Sequence, residues 1–297
     1  MSKKPRDVPK DIVEVLKNVQ NGVGKPIPEE LYTEFASNIV DKLHKLFTPR
    51  TKERRAKTLY ASEVGNPCMR KTWYSYHYPA AAEDLHVNAL IKFLYGDILE
   101  ELLLLLAAMA GHEVGNRQRL IEYILTDGWT VRGRIDATID GHVIDVKSAS
   151  SLGFQKFLNG LKDDPFGYKT QLGIYGPTAE SGFLVINKET GALTFTDTGA
   201  EVDQQSSLAQ CNKLVNALEK GDLNPPDRAF DERPDGSSGN MKLGTECSYC
   251  LYKKHCWATA NGGKGLRLFM YSGNRPVYLT KVVREPKVPE VIGYGKV

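Results

Sequence analysis

The chain has 297 residues, of which 41% are apolar and 25% are charged, as expected for a globular protein with a full hydrophobic core. Its net charge of +3 says little about nucleic acid as a partner, and its longest apolar run, residues 102–110, is far too short to span a bilayer. The N-terminus is charged with no apolar core behind it, so no signal peptide is predicted. Five cysteines in such a chain favour a reducing compartment, and we therefore expect a cytoplasmic protein with no membrane partner.

Residues 1–58 are predicted to form a helical accessory region. One helix follows Pro9, and a longer helix starts at Pro28 with apolar residues at the spacing of one helix face. These apolar residues are Leu31, Phe35, Ile39, Leu43, Leu46 and Phe47. The region ends in residues 49–57 (PRTKERRAK), which carry five cations and one acid. This segment is either a solvated helix face or a ridge that contacts phosphates.

A strong helix is predicted over residues 89–110, just before Gly111. Its second half is apolar nearly all round, so this half should be buried. Glu100 and Glu101 lie in the middle of the helix, and a buried carboxylate needs a partner or a metal ion. Gly96 lies on the same face as Glu100 and is predicted to allow the close approach of a neighbouring element.

Asp140-Gly141 is a strong signal for a two-residue β-hairpin, because a type I′ turn needs positive φ at both central positions. The flanking residues have the apolar, β-branched composition of strands. The turn sets a register with four pairs: Ile139 with His142, Thr138 with Val143, Ala137 with Ile144, and Asp136 with Asp145. Lys147 points to the same face as Asp145, since side chains alternate along a strand.

Two opposed carboxylates with a lysine beside them are typical of a divalent-metal site, as in a metal-dependent nuclease. Like charges directly opposite each other destabilise a sheet, so the predicted pair of Asp136 and Asp145 favours a functional site. The alternative is a solvated strand face, because the triplet from Asp145 to Lys147 is a common one.

Three cysteines, Cys247, Cys250 and Cys256, fall within ten residues as C-x2-C-x5-C. Thiols this close together predict a metal site. A fourth ligand is then needed. The candidates are Cys68, where a helix could begin, and Cys211, which lies within a predicted helix among polar neighbours.

Two other segments bear on the organisation of the chain. A helix predicted within residues 165–176 places Gln171 and Tyr175 one turn apart on the same face. Residues 231–240 lack core-forming side chains and are predicted to form a flexible loop.

In order along the chain, these motifs resemble the RecB-like branch of the PD-(D/E)xK nucleases, specifically its iron–sulfur members, over residues 62–257. Those members include the CRISPR-associated RecB-like exonucleases and the nuclease domain of the AddB helicase–nuclease subunit. The matching positions are Ser62, Cys68 and Arg70 in the first cysteine block, Gly96 and Glu100 in the first acidic motif, Gly133 with Asp136, Asp145 with Lys147, Gln171 and Tyr175 in the QxxxY motif, and Cys247, Cys250 and Cys256 in the last cysteine block. The chain departs from the family in having Glu100 where many members have a histidine, which leaves open whether Glu100 or Glu101 is the metal ligand. Ile135, and not proline, precedes Asp136.

The resemblance implies an α/β fold of the PD-(D/E)xK, restriction-endonuclease-like type, with a mixed central sheet flanked by helices. It divides the chain into a helical N-terminal accessory region (1–58), a nuclease core (59–260) and a C-terminal extension (261–297). A four-cysteine subdomain would hold a [4Fe-4S] cluster that joins the two ends of the core. Zinc is the alternative, because it takes the same four thiolates. The implied ligands are Cys68, Cys247, Cys250 and Cys256.

The implied function is that of a Mg²⁺- or Mn²⁺-dependent DNA exonuclease, acting on DNA ends or single strands in recombination, replication or repair. The implied roles are metal binding by Glu100, Asp136, Asp145 and the Val146 carbonyl, and positioning of the strand by Gln171 and Tyr175. Lys147 would either orient the attacking water or neutralise the charge that develops on the phosphorane. The alternatives are a structure-specific endonuclease and a DNA-binding assembly module with a vestigial nuclease site. Because the sequence has no P-loop motif, the resemblance allows a helicase or a recombination or replication protein as a partner besides DNA.

Overall fold

The computed structural model describes residues 3–48, 55–84, 87–220 and 224–294. The α-helices in these ranges are α1 (Val8–Gln20), α2 (Glu29–Phe47), α3 (Ala61–Val64), α4 (Met69–His77), α5 (Val87–Met109), α6 (Ser151–Leu158), α7 (Tyr168–Ile174), α8 (Gln204–Glu219), α9 (Thr245–Ser248), α10 (Lys253–Cys256) and α11 (Ala260–Gly263). The strands are β1 (Thr58–Tyr60), β2 (Val114–Gly115), β3 (Leu120–Ile124), β4 (Thr130–Arg134), β5 (Ala137–Ile139), β6 (His142–Ala149), β7 (Gly182–Asn187), β8 (Leu193–Asp197), β9 (Arg233–Pro234), β10 (Met241–Lys242), β11 (Arg267–Tyr271) and β12 (Arg275–Lys281). Within these ranges, every helix is too short or too polar to cross a bilayer. Residues 49–54 of the predicted basic segment lie outside the described residues.

The chain divides into two units that each have their own internal contacts. The first unit comprises Met1–Thr51, Arg55–Asn66 and His86–Glu219, and the second unit includes Pro67–Leu85 and Lys220–Val297. The boundaries after residues 58 and 260 that the sequence suggests stay a prediction.

A five-stranded sheet forms the centre of the first unit, with the strand order β2-β5-β6-β7-β8. β6 and β7 are parallel and the other pairs are antiparallel, so the sheet is mixed. One face packs on α1 and α5, where Ile12 and Leu103 join Ile144 in a buried cluster. The other face packs on α6, where the rings of Phe157 and Phe183 lie 5.7 Å apart. The predicted α/β class, with helices flanking a mixed sheet, is therefore confirmed.

The hairpin that leads into β6 has the predicted turn and, over three pairs, the predicted register. Asp140 and Gly141 have φ values of 51° and 83°, as a type I′ turn requires, and Ala137 pairs with Ile144. The fourth predicted pair is wrong. Asp136 lies just outside the ladder, and its Oδ2 accepts a hydrogen bond of 2.8 Å from the backbone N–H of Val146. The chain leaves the sheet here because the preceding strand, β4, pairs with β1 and β3 in a separate three-stranded sheet.

Helix α2 begins at Glu29, directly after the predicted Pro28, and its apolar stripe is only partly buried. Most of the stripe is half-buried, Phe47 at its end is 81% exposed, and no residue of the helix is fully buried. Apolar packing of this kind stabilises a helix only weakly. The hydrogen bonds and ion pairs that α2 makes with α5 therefore contribute a larger share of its stability.

The second unit contains a four-stranded antiparallel sheet with the order β11-β12-β10-β9. The flexible loop predicted over residues 231–240 is wrong, because β9 and a tight turn occupy this segment. Asn240, only 2% exposed, fixes the turn. Its Oδ1 accepts hydrogen bonds from the backbone N–H groups of Val283 and Arg284, at 2.7 and 2.9 Å.

Candidate functional site

Three carboxylates converge at one end of the hairpin in the first unit. Asp145 lies on β6 and is 1% exposed, Asp136 precedes β5, and Glu100 lies on α5. Burial raises the pKa of Asp136 well above its usual range, and the nearby charges of Asp145 and Glu100 raise it further. The three side chains that the sequence predicts as metal ligands are thus close enough to interact electrostatically.

Lys147 lies two residues along β6 from Asp145, and its ammonium group makes an ion pair with the Asp145 carboxylate. Burial opposes the positive charge, but the carboxylates of Asp145 and Asp136 outweigh burial and raise the pKa of Lys147. The Lys147 Nζ also lies 5.1 Å from the centre of the Tyr168 ring, an arrangement that favours a cation. Lys147 therefore remains protonated beside the carboxylates.

Two further predicted residues are Gln171 on α7 and Tyr175, which directly follows this helix. Gln171 donates a hydrogen bond of 2.8 Å from Nε2 to the hydroxyl oxygen of Tyr175. Burial raises the pKa of Tyr175, and the charge of Asp145 raises it further. Tyr175 therefore keeps its proton and can donate it in a hydrogen bond.

Two glycines allow α7 to approach this closely. A Cβ at Gly133 would lie 2.6 Å from Cε1 of Tyr175 and 2.9 Å from Cβ of Ala61. A Cβ at Gly167, where φ is +73°, would lie 2.0 Å from the carbonyl carbon of Gly65. Any larger residue would push α7 away. Gly133 thus sets the short distance between β4 and Tyr175.

A third glycine has a smaller role than the sequence suggests. The close approach predicted at Gly96 is wrong, because a Cβ there would meet only Oγ of Ser148, at the ordinary contact distance of 3.8 Å. An alanine at position 96 would therefore leave the packing of α5 on β6 unchanged.

The two adjacent glutamates of α5 have different surroundings. Glu101 is 2% exposed and is held by Arg117, by Asn38 Nδ2 at 3.1 Å and by Lys42 Nζ at 3.1 Å. Glu100 accepts a hydrogen bond of 3.0 Å from Gln118 Nε2 and pairs with Lys42 Nζ at 3.0 Å. Among these two, Glu100 is the one whose charge raises the pKa of Asp136. The acidic cluster therefore consists of Glu100, Asp136 and Asp145.

Lys42 and Gln118 are site residues that the sequence reasoning missed. Lys42 comes from α2, a region in which no chemistry was predicted. Burial lowers the pKa of Lys42, but the charges of Glu100 and Glu101 outweigh burial and raise it. The available signal was the pair Asn38 and Lys42, which are one turn apart and interrupt an apolar stripe.

The donor set of the acidic cluster suits a hard divalent cation, which prefers carboxylate and carbonyl oxygens. In the described ranges, no group of three or more His, Cys, Asp or Glu side chains is arranged so that it could hold a metal ion. The acidic oxygens are instead matched by protein groups, namely Lys147, Lys42 and the N–H of Val146. The carboxylate oxygens are ligands of the kind a divalent cation takes. Lys147, Lys42 and the N–H of Val146 lie where a cation would compensate the negative charge of these oxygens.

The second unit gathers the four predicted cysteine ligands. Cys68 immediately precedes α4, and the other three lie on or between α9 and α10. Burial raises the pKa of Cys247 to about 12, and Cys250, Cys68 and Cys256 contribute to the increase. Four half-buried cysteines close enough to interact electrostatically are a donor set for iron or zinc.

The fifth cysteine is not part of this group. Cys211 lies on α8 in the first unit and is fully buried. Burial alone raises the pKa of its thiol to about 12. Cys68 is therefore the fourth cysteine of the group, and Cys211 is a core residue.

The sequence matches no protein-family model and no curated protein. Among solved structures the chain is similar to SSO0001, with 19% identity, a TM-score of 0.43, and an alignment that covers 74% of this chain and 94% of SSO0001. A similarity of this size supports no conclusion about the function of the chain.

Proposed function

We propose that the first unit is a divalent-metal-dependent DNA nuclease with a core of the PD-(D/E)xK type. The observation that carries the proposal is the convergence of Glu100, Asp136 and Asp145, from separate elements, beside the protonated Lys147. Burying like charges together is unfavourable unless a cation compensates them.

The metal would be Mg²⁺ or Mn²⁺, held by the three carboxylates and the carbonyl of Val146. When bound, such an ion polarises a phosphodiester and lowers the pKa of water. The residues of the chain act around it. Lys147 holds a positive charge where negative charge develops on the phosphate.

Gln171 and Tyr175 act as a pair that positions the strand. The amide of Gln171 donates to the Tyr175 oxygen, so the phenol proton is directed away from Gln171. A non-bridging phosphate oxygen can then accept that proton in a hydrogen bond. The pair orients the substrate and takes no part in proton transfer, because the Tyr175 pKa is raised.

The four cysteines of the second unit would hold a [4Fe-4S] cluster or a zinc ion. Their burial and mutual charge make four unliganded thiolates unfavourable, and a metal would compensate that charge. This centre would be structural.

The test is cleavage of labelled single- and double-stranded DNA with Mg²⁺ or Mn²⁺. Asp136→Ala and Lys147→Ala should each lower the cleavage rate by at least about 10³-fold while DNA binding persists. Glu29→Gln removes an exposed carboxylate at the start of α2 and should cleave like the unmodified protein. Cleavage retained by both site variants would overturn the assignment.

A further inference from the structure

A cleft of about 370 Å³ in the first unit shares residues with the candidate nuclease site. Its lining includes Arg55, Tyr60, Arg132, Arg134, Gln171 and Tyr175. Tyr175 also interacts with the charges of Asp145 and Asp136. Gln171 and Tyr175 therefore connect the cleft to the acidic cluster.

The arrangement of the cations follows from the three-stranded sheet. Arg132 and Arg134 are two residues apart on β4, so their side chains leave the same face. Tyr60 on β1 is the direct cross-strand partner of Arg132 and shares this face. It is 37% exposed. This face thus presents two guanidinium groups and one partly exposed aromatic ring, whereas Gly133, between the two arginines, faces Tyr175 on the other side of the sheet.

The cleft carries an excess of positive charge. Arg132 pairs with Glu122 at 2.7 Å, its direct neighbour across β3 and β4. Arg134 donates to a neutral group, the backbone carbonyl of Gln118, at 3.0 Å. No carboxylate among the described residues lies within ion-pair distance of Arg55. Within the described part of the chain, two of the three guanidinium groups are therefore uncompensated.

The size of the cleft limits what it can hold. Its volume is near the lower end of the range of about 300–1,000 Å³ that small-molecule sites occupy. It accommodates one nucleotide of a strand and is too small for a duplex. The rest of a strand must therefore lie outside it.

The charge of the cleft matches a phosphate end better than an internal phosphate. A phosphomonoester carries a charge of about −1.5 to −2 at pH 7, whereas each internal phosphodiester carries one negative charge. Arginine forks bind phosphate oxygens in pairs, and an aromatic ring such as Tyr60 stacks on a base of any identity.

We propose that this cleft binds the phosphorylated terminal nucleotide of a nucleic-acid strand and thereby sets which phosphodiester reaches the acidic cluster. Arg55, Arg132 and Arg134 bind the terminal phosphate, and Tyr60 stacks on the terminal base. This inference rests on the proposed nuclease function, since it assigns the end recognition of that same site.

The experiment measures binding in EDTA, so that no cleavage occurs. Three single-stranded oligonucleotides of the same sequence, with an internal fluorophore, carry a 5′-phosphate, a 3′-phosphate or hydroxyls at both ends. Fluorescence anisotropy should show one phosphorylated form binding at least about tenfold more tightly than the hydroxyl form, and the form that does so identifies the end. Equal affinity for all three oligonucleotides would overturn the proposal.

Variants localise the effect to the cleft. Arg55→Ala and Arg134→Ala should bring the affinity ratio of the phosphorylated and hydroxyl forms close to one. Arg132→Lys keeps a cation beside Glu122 but loses the planar fork, and should also reduce the ratio. Arg6→Ala, which removes a half-exposed guanidinium outside the cleft, should leave the ratio unchanged. A preference that survives in all three cleft variants would contradict the assigned site.

The two proposals fail separately. If Asp136→Ala and Lys147→Ala lose cleavage while terminal phosphate has no effect on binding, the cleft assignment alone is wrong. If the phosphate preference depends on the arginines but the acidic variants still cleave, the nuclease assignment is wrong.

Discussion

Asp136 has the least favourable surroundings of the acidic cluster. Burial and the charges of Asp145 and Glu100 raise its pKa above the ordinary value of 3.8. The folded state therefore binds a proton more tightly than the unfolded state. The free energy of unfolding falls as the pH rises from that ordinary value to the folded pKa, so above this range Asp136 destabilises the metal-free fold.

Replacing Asp136 by asparagine should therefore stabilise the metal-free protein. The amide oxygen can still accept the hydrogen bond from Val146, while the repulsion disappears. A gain of about 1 kcal/mol would raise the melting temperature in EDTA by about 2–4 °C at pH 7. Scanning calorimetry of Asp136→Asn against Glu29→Gln measures it. The gain should vanish below about pH 4, and a lower melting temperature than that of the unmodified protein at pH 7 would contradict the charge assignment.

At the scale of single elements, α2 depends on polar contacts with α5. Lys42 pairs with both Glu100 and Glu101 and is only 12% exposed at its side chain. The raised pKa of Lys42 means that this stabilisation is complete below the ordinary lysine pKa of 10.5 and is lost as the pH rises through the folded value.

Lys42→Met keeps the apolar stem and removes the charge, which leaves two glutamates short of a cation. The free energy of unfolding in EDTA should fall by about 1–3 kcal/mol. Saturating Mg²⁺ should restore more stability to this variant than to the unmodified protein, since a bound ion replaces the missing charge. Urea titrations with and without Mg²⁺ measure both effects, with the exposed Lys45→Met as the control. Equal unfolding free energies of Lys42→Met and Lys45→Met would show that the ion pairs do not anchor α2.

A second element-scale prediction concerns the spacing between β4 and α7. In Gly133→Ala the new Cβ overlaps the Tyr175 ring and Ala61, and such overpacking costs about 1–3 kcal/mol. The displacement of Tyr175 should lower the cleavage rate beyond what the loss of stability explains. Gly96→Ala adds a methyl at ordinary contact distance and should leave cleavage unchanged. Activity of Gly133→Ala equal to that of Gly96→Ala would contradict the close approach.

The hairpin illustrates which features local sequence determines. Asp140-Gly141 determines the turn chemistry, and three strand pairs follow from it. The ladder ends at Ala137 because β4 pairs with β1, a strand about 70 residues earlier in the chain. Such a distant pairing has no local signal, so the sequence predicted Asp136 opposite Asp145, where the structure has a side chain bonded to Val146 N–H.

At the scale of the whole molecule, the carboxylate and the cysteine candidates for metal binding lie in different units. The acidic cluster belongs to the first unit and the cysteine group to the second. Spacing alone predicted three cysteines, and only the family resemblance pointed to Cys68 as the fourth; the fold adds that Cys211 lies in the first unit, apart from the others. Lys42 was missed because its partners are on α5.

The cysteine group should control the stability of the second unit. Cys250→Ser should reduce the bound iron or zinc and lower the melting temperature, because a bound metal adds its binding free energy to folding. Elemental analysis with calorimetry measures both. Cys211→Ala removes a buried thiol outside the group and should keep the metal content unchanged. Equal metal content in Cys250→Ser and the unmodified protein would show that the cysteines do not bind metal.

The most direct test of the central claim is the number of Mn²⁺ ions bound, read from the electron paramagnetic resonance signal of free Mn²⁺ during titration. The unmodified protein and Glu29→Gln should bind at least one ion, and Asp136→Asn and Asp145→Asn should bind fewer. Unchanged Mn²⁺ binding in both aspartate variants would contradict the claim that Glu100, Asp136 and Asp145 form a metal site.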